Sequence, residues 1–323
     1  MRFTKCSLRI LLTICAFATF SLCLLLRFSD SSIRIEPIYG TKFPNAANLL
    51  LSPSSCLPAK VVLFILSPPN RAEERNIIRE TWLRKLRTLG GTAYFIMGIY
   101  ADKDLPKTPI NVNQEFAQNH DILLLNLTES YSNLILKTYA ALSWAQDYCK
   151  TASWIIKLDL DVFVNPWNLI KSVSHIRDSG ELILGQCLSG ARPRRAKVSK
   201  WYVSPEQFGG TVYPRYCSGA LYSISRAALP KLLTYAGTYG YRIPFEDLYF
   251  TGFAPNHYSI ERRTLSEFNV HQDCPVSSVA THLGGSIDSL GERLNQTWLK
   301  VNHCQKHFYP CWRDVFVDCK EFL

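Results

Sequence analysis

Ser153-Trp154-Ile155-Ile156-Lys157-Leu158-Asp159-Leu160-Asp161-Val162-Phe163-Val164-Asn165-Pro166 joins two apolar runs through two aspartates separated by one residue. Positions i and i+2 of a strand project the same way. Asp159 and Asp161 are therefore expected on one side, near the end of a strand running from Ser153 to Val164. Carboxylates so placed repel unless a cation lies between them. Hard divalent ions such as Mn²⁺ and Mg²⁺ take oxygen ligands and commonly bridge protein carboxylates to substrate phosphates. Asp-x-Asp is a cheap pattern, and Asp102-Lys103-Asp104 is a decoy: with a lysine inside and Leu105-Pro106 after it, it reads as a solvated turn. Asp159 and Asp161 lie instead between apolar runs, where an uncompensated charge is expensive.

Outward from this stretch the pattern alternates. Val61 to Leu66 is a short apolar run ending in Ser67-Pro68-Pro69, a buried strand and then a loop. Glu73 to Arg87 has mixed helical spacing, Ala93 to Tyr100 and Asp121 to Leu125 are strand-like, and Asn133 to Tyr148 is helical. Strands alternating with helices predict an α/β protein with a largely parallel sheet covered on both faces. Ligands in such sheets bind beyond the carboxyl ends of the strands, which is where the aspartate pair is expected. The second half is less regular and rich in aromatic residues, Gly and Cys. There Trp201 and Tyr216 are candidate platforms for a sugar ring, or core.

The chain has 323 residues, 47% apolar and 12% aromatic, with a formal charge of +10. That composition describes a globular protein with a sizeable core. Zinc-finger spacing, an RNP-like pattern and a long basic run are all missing, which argues against nucleic acid as a partner. Ile10 to Leu26 carries no charge and is flanked by Arg2, Lys5, Arg9 and Arg27. It reads as an uncleaved signal anchor, with residues 1–9 cytoplasmic, 10–26 transmembrane, 27–58 a stem and 59–323 lumenal. A cleaved signal peptide is the alternative, for which Arg27-Phe28-Ser29-Asp30 supplies a poor cleavage site. Beyond the anchor lie Cys56, Cys149, Cys187, Cys217, Cys274, Cys304, Cys311 and Cys319. An even number in an oxidising compartment implies disulfides, whose pairing spacing alone does not assign. Asn126-Leu127-Thr128 and Asn295-Gln296-Thr297 are glycosylation sequons if exposed.

Several segments together resemble the beta-1,3-galactosyltransferase family (glycosyltransferase family 31). Arg75-Asn76-Ile77-Ile78-Arg79-Glu80-Thr81-Trp82 is similar to its R-x-A-I-R-x-T-W block, and Glu129 to Thr138 to its D-S-Y-x-N-L-T-L-K-T. Lys157 to Phe163 resembles K-x-D-D-D-x-F. Lys200 to Ser204 and Tyr213 to Gly219 resemble K-W-x-V-S and Y-P-x-Y-C-S-G, and Phe245 to Tyr249 the E-D-V segment. The resemblance covers roughly residues 60–300. It implies a GT-A fold: a Rossmann-like nucleotide-sugar half with a mixed sheet, joined to an acceptor half, behind an N-terminal transmembrane helix. It also implies a type II Golgi membrane enzyme that moves a hexose, galactose by default, from a UDP-sugar to a glycan 3-hydroxyl on glycoprotein or glycolipid, with inversion and with Mn²⁺.

Site roles follow from the same resemblance. Asp161, Asp159 and His282 are implied around the metal, Asp161 foremost and Asp159 also as a ribose contact. Asp247 is implied as the base, and Glu246 as its orienting partner or an acceptor contact. Arg75, Arg79, Lys137, Asp159 and Trp201 are implied on the nucleotide-sugar side. Arg192-Pro193-Arg194-Arg195 with Lys197 reads as a basic loop that attracts an anion, a processing site, or a solvated loop. Two departures stand out. Leu160 replaces the family's middle aspartate, and Tyr249-Phe250-Thr251-Gly252 sets one more residue before the glycine than the commonest spacing. Leu160 raises the alternative of a catalytically impaired relative acting as a lumenal carbohydrate-binding or chaperone-like partner. A secreted structural protein is a further alternative.

Overall fold

In the computed structural model, residues 40–44, 49–100, 111–176, 180–268 and 274–306 are described. The expected anchor, most of the expected stem and the Asp102/Asp104 decoy lie outside these residues. Among the described residues no helix is long and apolar enough to cross a membrane.

The elements in chain order are β1 (Leu49–Leu51), β2 (Val61–Leu66), α1 (residues 72–88), β3 (Gly91–Ile99), α2 (Val112–Asn119), β4 (Ile122–Thr128) and α3 (Leu134–Tyr148). They continue with β5 (Trp154–Asp159), β6 (Val162–Val164), α4 (Pro166–Ser174), β7 (Leu182–Leu188), β8 (Tyr216–Ser225), α5 (Leu229–Tyr239), α6 (residues 248–258), β9 (Glu261–Thr264), β10 (Ala280–His282) and α7 (Leu290–Lys306). An eight-stranded sheet runs β1-β4-β3-β2-β5-β8-β7-β9, and β6 pairs with β10 in a separate two-stranded sheet. Strands β4, β3, β2 and β5 are parallel. β8 is antiparallel to both β5 and β7, and β1 is antiparallel to β4. The α/β class and the mixed sheet are as the resemblance implies, and β4-β3-β2-β5 is the parallel part that the alternation of strands and helices predicts.

Every residue of β2 is buried, so the strand shows no polar alternation. Its two faces feed different layers. Val61, Leu63 and Ile65 pack with Trp82 and Leu86 of α1, Leu169 of α4 and Leu294 of α7. Val62, Phe64 and Leu66 pack with Leu142 and Trp144 of α3, Leu232 of α5 and Phe250 of α6. The sheet is thereby covered on both sides.

Two expectations need correction. The strand expected from Ser153 to Val164 is two strands, broken at Leu160-Asp161: β5 lies in the main sheet and β6 pairs with β10. Two apolar runs separated by a turn have the same composition as one strand with a polar centre. Of the segment expected as a stem, residues 41–44 and 49–56 are tied into the domain. Thr41 bridges to Tyr241, the Phe43 ring lies 4.4 Å from that of Tyr139, β1 extends the main sheet, and Cys56 is bonded to Cys149. Segments this short carry no readable period. A second disulfide joins Cys187 to Cys217.

Candidate active site

β2 and β5 are parallel neighbours whose onward connections diverge. The chain goes from β2 to β3 and β4 on one side, and β5 lies on the other. This is a topological switch point, where a crevice opens beyond the strand ends. Leu66 pairs with Asp159 there, so the Ser67-Pro68-Pro69 loop and the aspartate motif flank the same crevice.

Lys157 and Asp159 share a face of β5. The Lys157 ammonium is buried and donates to Asp159 Oδ1 at 2.7 Å and to the Gly219 carbonyl at 2.5 Å. It also pairs with Glu246 Oε1 at 2.7 Å. Tyr222, its register partner on β8, donates to Glu246 Oε2 at 2.6 Å. Asp247 caps α6: Oδ1 accepts from the Leu248 N–H at 2.7 Å and Oδ2 from the Gly219 N–H at 3.0 Å. The Gly219 residue thus ties Lys157 to Asp247 through its own carbonyl and N–H. Antiparallel pairing of β5 with β8 brings these groups together.

Burial would lower the Lys157 ammonium, but the Asp159 and Glu246 carboxylates outweigh it and hold it above the ordinary lysine range. Burial pushes Glu246 up to about 7, against the pull of Lys157. Asp247 is likewise raised by burial, against the Leu248 N–H and Lys157. A carboxylate raised in this way is a better proton acceptor than a free aspartate at neutral pH. Glu246 is only 5% exposed with both oxygens engaged. It supports the network and offers no face to an acceptor, which corrects the acceptor-contact reading.

Beyond the turn the second aspartate goes elsewhere. Asp161 Oδ2 lies 3.2 Å from His282 Nε2, both side chains about one third exposed. Leu160 between the two aspartates is buried in the core. Burial, then the Asp159 charge, raises the Asp161 carboxyl, with His282 pulling it down. A carboxylate oxygen and an imidazole nitrogen form a mixed donor pair that suits a divalent ion such as Mn²⁺. Among the described residues no group of three or more His, Cys, Asp and Glu could hold an ion. Asp159, expected beside the metal, has Oδ1 committed to Lys157.

Three of the implied nucleotide contacts are packed inside. Arg75 is fully buried and bonds Glu115 with two nitrogens, at 2.7 and 2.6 Å. It also donates to Ser67 Oγ and to the Pro68 and Pro69 carbonyls. Arg79 bonds Asp121 with two nitrogens and sits over the Phe95 ring. Lys137 is buried and donates to both Glu129 oxygens, of which Oε2 also accepts from the Gly98 N–H. Arg75 and Lys137 shape the switch-point loop from beneath, because Lys137 also reaches the Ser67 carbonyl at 3.4 Å. Helical spacing puts Arg75 and Arg79 on one face of α1 but does not show the burial of that face against Glu115 of α2, Asp121 and the Phe95 ring of β3. Trp201, in contrast, is half exposed. Lys200 Nζ lies 4.5 Å from its ring and 5.7 Å from that of the equally exposed Tyr131. Arg195 in the basic loop donates to the Val203, Phe208 and Gly210 carbonyls, and Arg194 bridges to Tyr202. These bonds hold the loop in place, and Arg192, Arg194, Arg195 and Lys197 are exposed, as expected of a solvated loop.

The sequence profile of the family described as Galactosyltransferase matches residues 73–266. The chain belongs to the beta-1,3-galactosyltransferase family. It is 30% identical to the human UDP-GalNAc:beta-1,3-N-acetylgalactosaminyltransferase 1, over 66% of this chain and 65% of that protein. It is 29% identical to a beta-1,3-galactosyltransferase 2 of Pongo abelii, over 58% of this chain and 46% of that protein. The match thus spans just under two thirds of the length of the first of these relatives. A galactosyltransferase crystallised with donor and acceptor sugar analogues superimposes with a TM-score of 0.40 at 10% identity, covering 74% of this chain and 95% of that one.

In this family member the residue that sequence reading left without a role is Lys157. It lies in the K-x-D-D-D-x-F-like block, and its signal was a lysine at the centre of an apolar strand. A buried lysine must be paired, so carboxylates from another element were to be expected there.

Proposed function

We propose that the protein is an inverting, UDP-sugar-dependent β-1,3-hexosyltransferase that transfers a hexose, galactose favoured, to the 3-hydroxyl of a glycan on glycoprotein or glycolipid. The observation that carries this reading is a desolvated carboxylate, Asp247, held by two backbone N–H groups and linked through Gly219 and Lys157 to Asp159, two residues before the Asp161–His282 donor pair. Asp247 takes the proton of the acceptor hydroxyl as the hydroxyl oxygen forms its bond to the anomeric carbon. The bond from that carbon to the diphosphate oxygen breaks on the opposite side, UDP leaves, and the configuration inverts. Asp161 and His282 would hold a divalent ion, Mn²⁺ in this reading, which when bound neutralises charge on the departing diphosphate. Lys157 keeps Glu246 and, through Gly219, Asp247 in place. Leu160 faces the core, so its replacement of the family's middle aspartate leaves Asp161 and His282 together. This favours the active enzyme over the impaired relative.

The proposed setting is the Golgi membrane, single-pass type II, with the catalytic domain lumenal. The Cys56–Cys149 and Cys187–Cys217 bonds support an oxidising compartment. Asn126 and Asn295 are exposed, as glycosylated sequons must be.

The test is hydrolysis and transfer from UDP-galactose, UDP-N-acetylglucosamine and UDP-N-acetylgalactosamine with Mn²⁺ or EDTA, together with UDP binding by calorimetry. Turnover of one donor is expected to require metal. Asp161→Ala and His282→Ala are each expected to abolish the metal-dependent part of UDP binding. Metal-independent UDP binding that both variants retain would sink the reading.

A further inference from the structure

His282 comes to Asp161 from a strand of only three residues. Ala280, Thr281 and His282 pair with Val164, Phe163 and Val162, and the Leu283 N–H donates to the Asp161 carbonyl at 2.8 Å. Side chains alternate along a strand, so a slip of one residue would turn His282 to the opposite face, away from Asp161. Three paired residues specify register weakly, and something further must hold it.

Two asparagines at the start of α4 do so. Asn165 is fully buried, and its side-chain amide donates to the Pro275 and Val276 carbonyls, both at 3.2 Å. The Asn168 amide donates to the Val276 and Ser278 carbonyls, both at 2.9 Å. The Asn165 side-chain oxygen accepts from the Asn168 N–H at 3.3 Å, and its own N–H donates to the Val279 carbonyl at 2.9 Å. The bonds engage Pro275, Val276, Ser278 and Val279, continue through the pairing of β10 with β6, and end at Leu283 beside the two proposed ligands. Asn165 does more here than cap the helix, for which a serine or aspartate would serve equally. Only a side-chain amide offers both an acceptor to the helix and two donors to the incoming segment.

We infer that Asn165 and Asn168 are positioning residues for the divalent-ion site, acting as a register clamp that delivers His282 to Asp161. The inference rests on the proposed metal role of Asp161 and His282. The clamp acts through His282 alone and touches neither the ion nor the sugar.

The experiment measures Mn²⁺ affinity of the full chain by calorimetry and by the paramagnetic resonance signal of free Mn²⁺, with UDP present. Asn168→Ala and Asn165→Ala are expected to weaken Mn²⁺ about ten- to a hundredfold, as loss of groups that orient a metal ligand does. Asn168→Ala, partly exposed and therefore milder, carries the test if Asn165→Ala fails to fold. In a His282→Ala background Asn168→Ala is expected to cause no further loss, because the ligand it positions is gone. Mn²⁺ affinity within about twofold of wild type in Asn168→Ala would overturn the clamp. So would an equal loss with and without His282, which would mark a general structural role. If Asp161→Ala and His282→Ala themselves retain Mn²⁺ affinity, the metal reading fails, and the clamp's role fails with it.

Discussion

Lys157→Met is expected to cost about 3–5 kcal/mol of stability, the usual penalty for removing one partner of a buried ion pair. Methionine keeps the length of the lysine stem but leaves Glu246 and Asp159 without a cation. Glu246 retains only the Tyr222 hydroxyl as partner. The loss should depend on pH in a definite direction. The folded-state value of Glu246 is about 7 against an ordinary 4.5, so between these values the folded state holds a proton that the unfolded state has released. The Glu246 contribution is therefore fully present below pH 4.5 and is lost as pH rises through 7. Removing Lys157 removes a pull that lowers Glu246, which moves the folded value further up and extends the window upward. The variant should lose more at about pH 8 than at about pH 5 in urea denaturation. An equal loss at both would assign the effect to packing rather than to the ion pair.

The second large effect is expected at Gly219. A Cβ there would lie 2.9 Å from Glu246 Oε1 and 3.1 Å from Asp247 Oδ2. Both oxygens are fixed by their own partners, so Gly219→Ala must displace a carboxylate. Turnover is expected to fall by about 10²-fold, the cost of misplacing a reacting group by roughly an ångström. Metal-dependent UDP affinity should stay as in wild type, because Asp161 and His282 stand apart from this contact. Asp247→Asn, which removes the proposed base but not the bulk, should lose about 10²–10⁴-fold. Gly219→Ala with full turnover, or with UDP affinity falling as far as turnover, would show that Asp247 is not placed as argued.

Much of this architecture is legible along the chain. Apolar runs such as Val61 to Leu66 mark buried strands, because a strand covered on both faces has no polar side to show. Helices between them require parallel neighbours, and that arrangement places a crevice at the strand ends where Asp159 lies. The separate destinations of Asp159 and Asp161 are not legible. A turn at Leu160 sends one to Lys157 and the other to His282, although their spacing suggests a common face. Arg75 and Arg79 show the complementary failure: their spacing gives a shared helix face correctly but not the Glu115 and Asp121 carboxylates that cover it.

The sequence by itself therefore determined the strand–helix alternation, the residue types of the site and the family. Periodicity and composition depend on near neighbours and on burial, and both are written locally. Only the tertiary structure decided which charges pair, because each pairing joins elements far apart in the chain. The register of β8 on β5 sets Tyr222 and Gly219 beside Lys157, and the start of α6 brings Glu246 and Asp247 to them. The docking of β10 on β6, held by Asn165 and Asn168, brings His282 to Asp161.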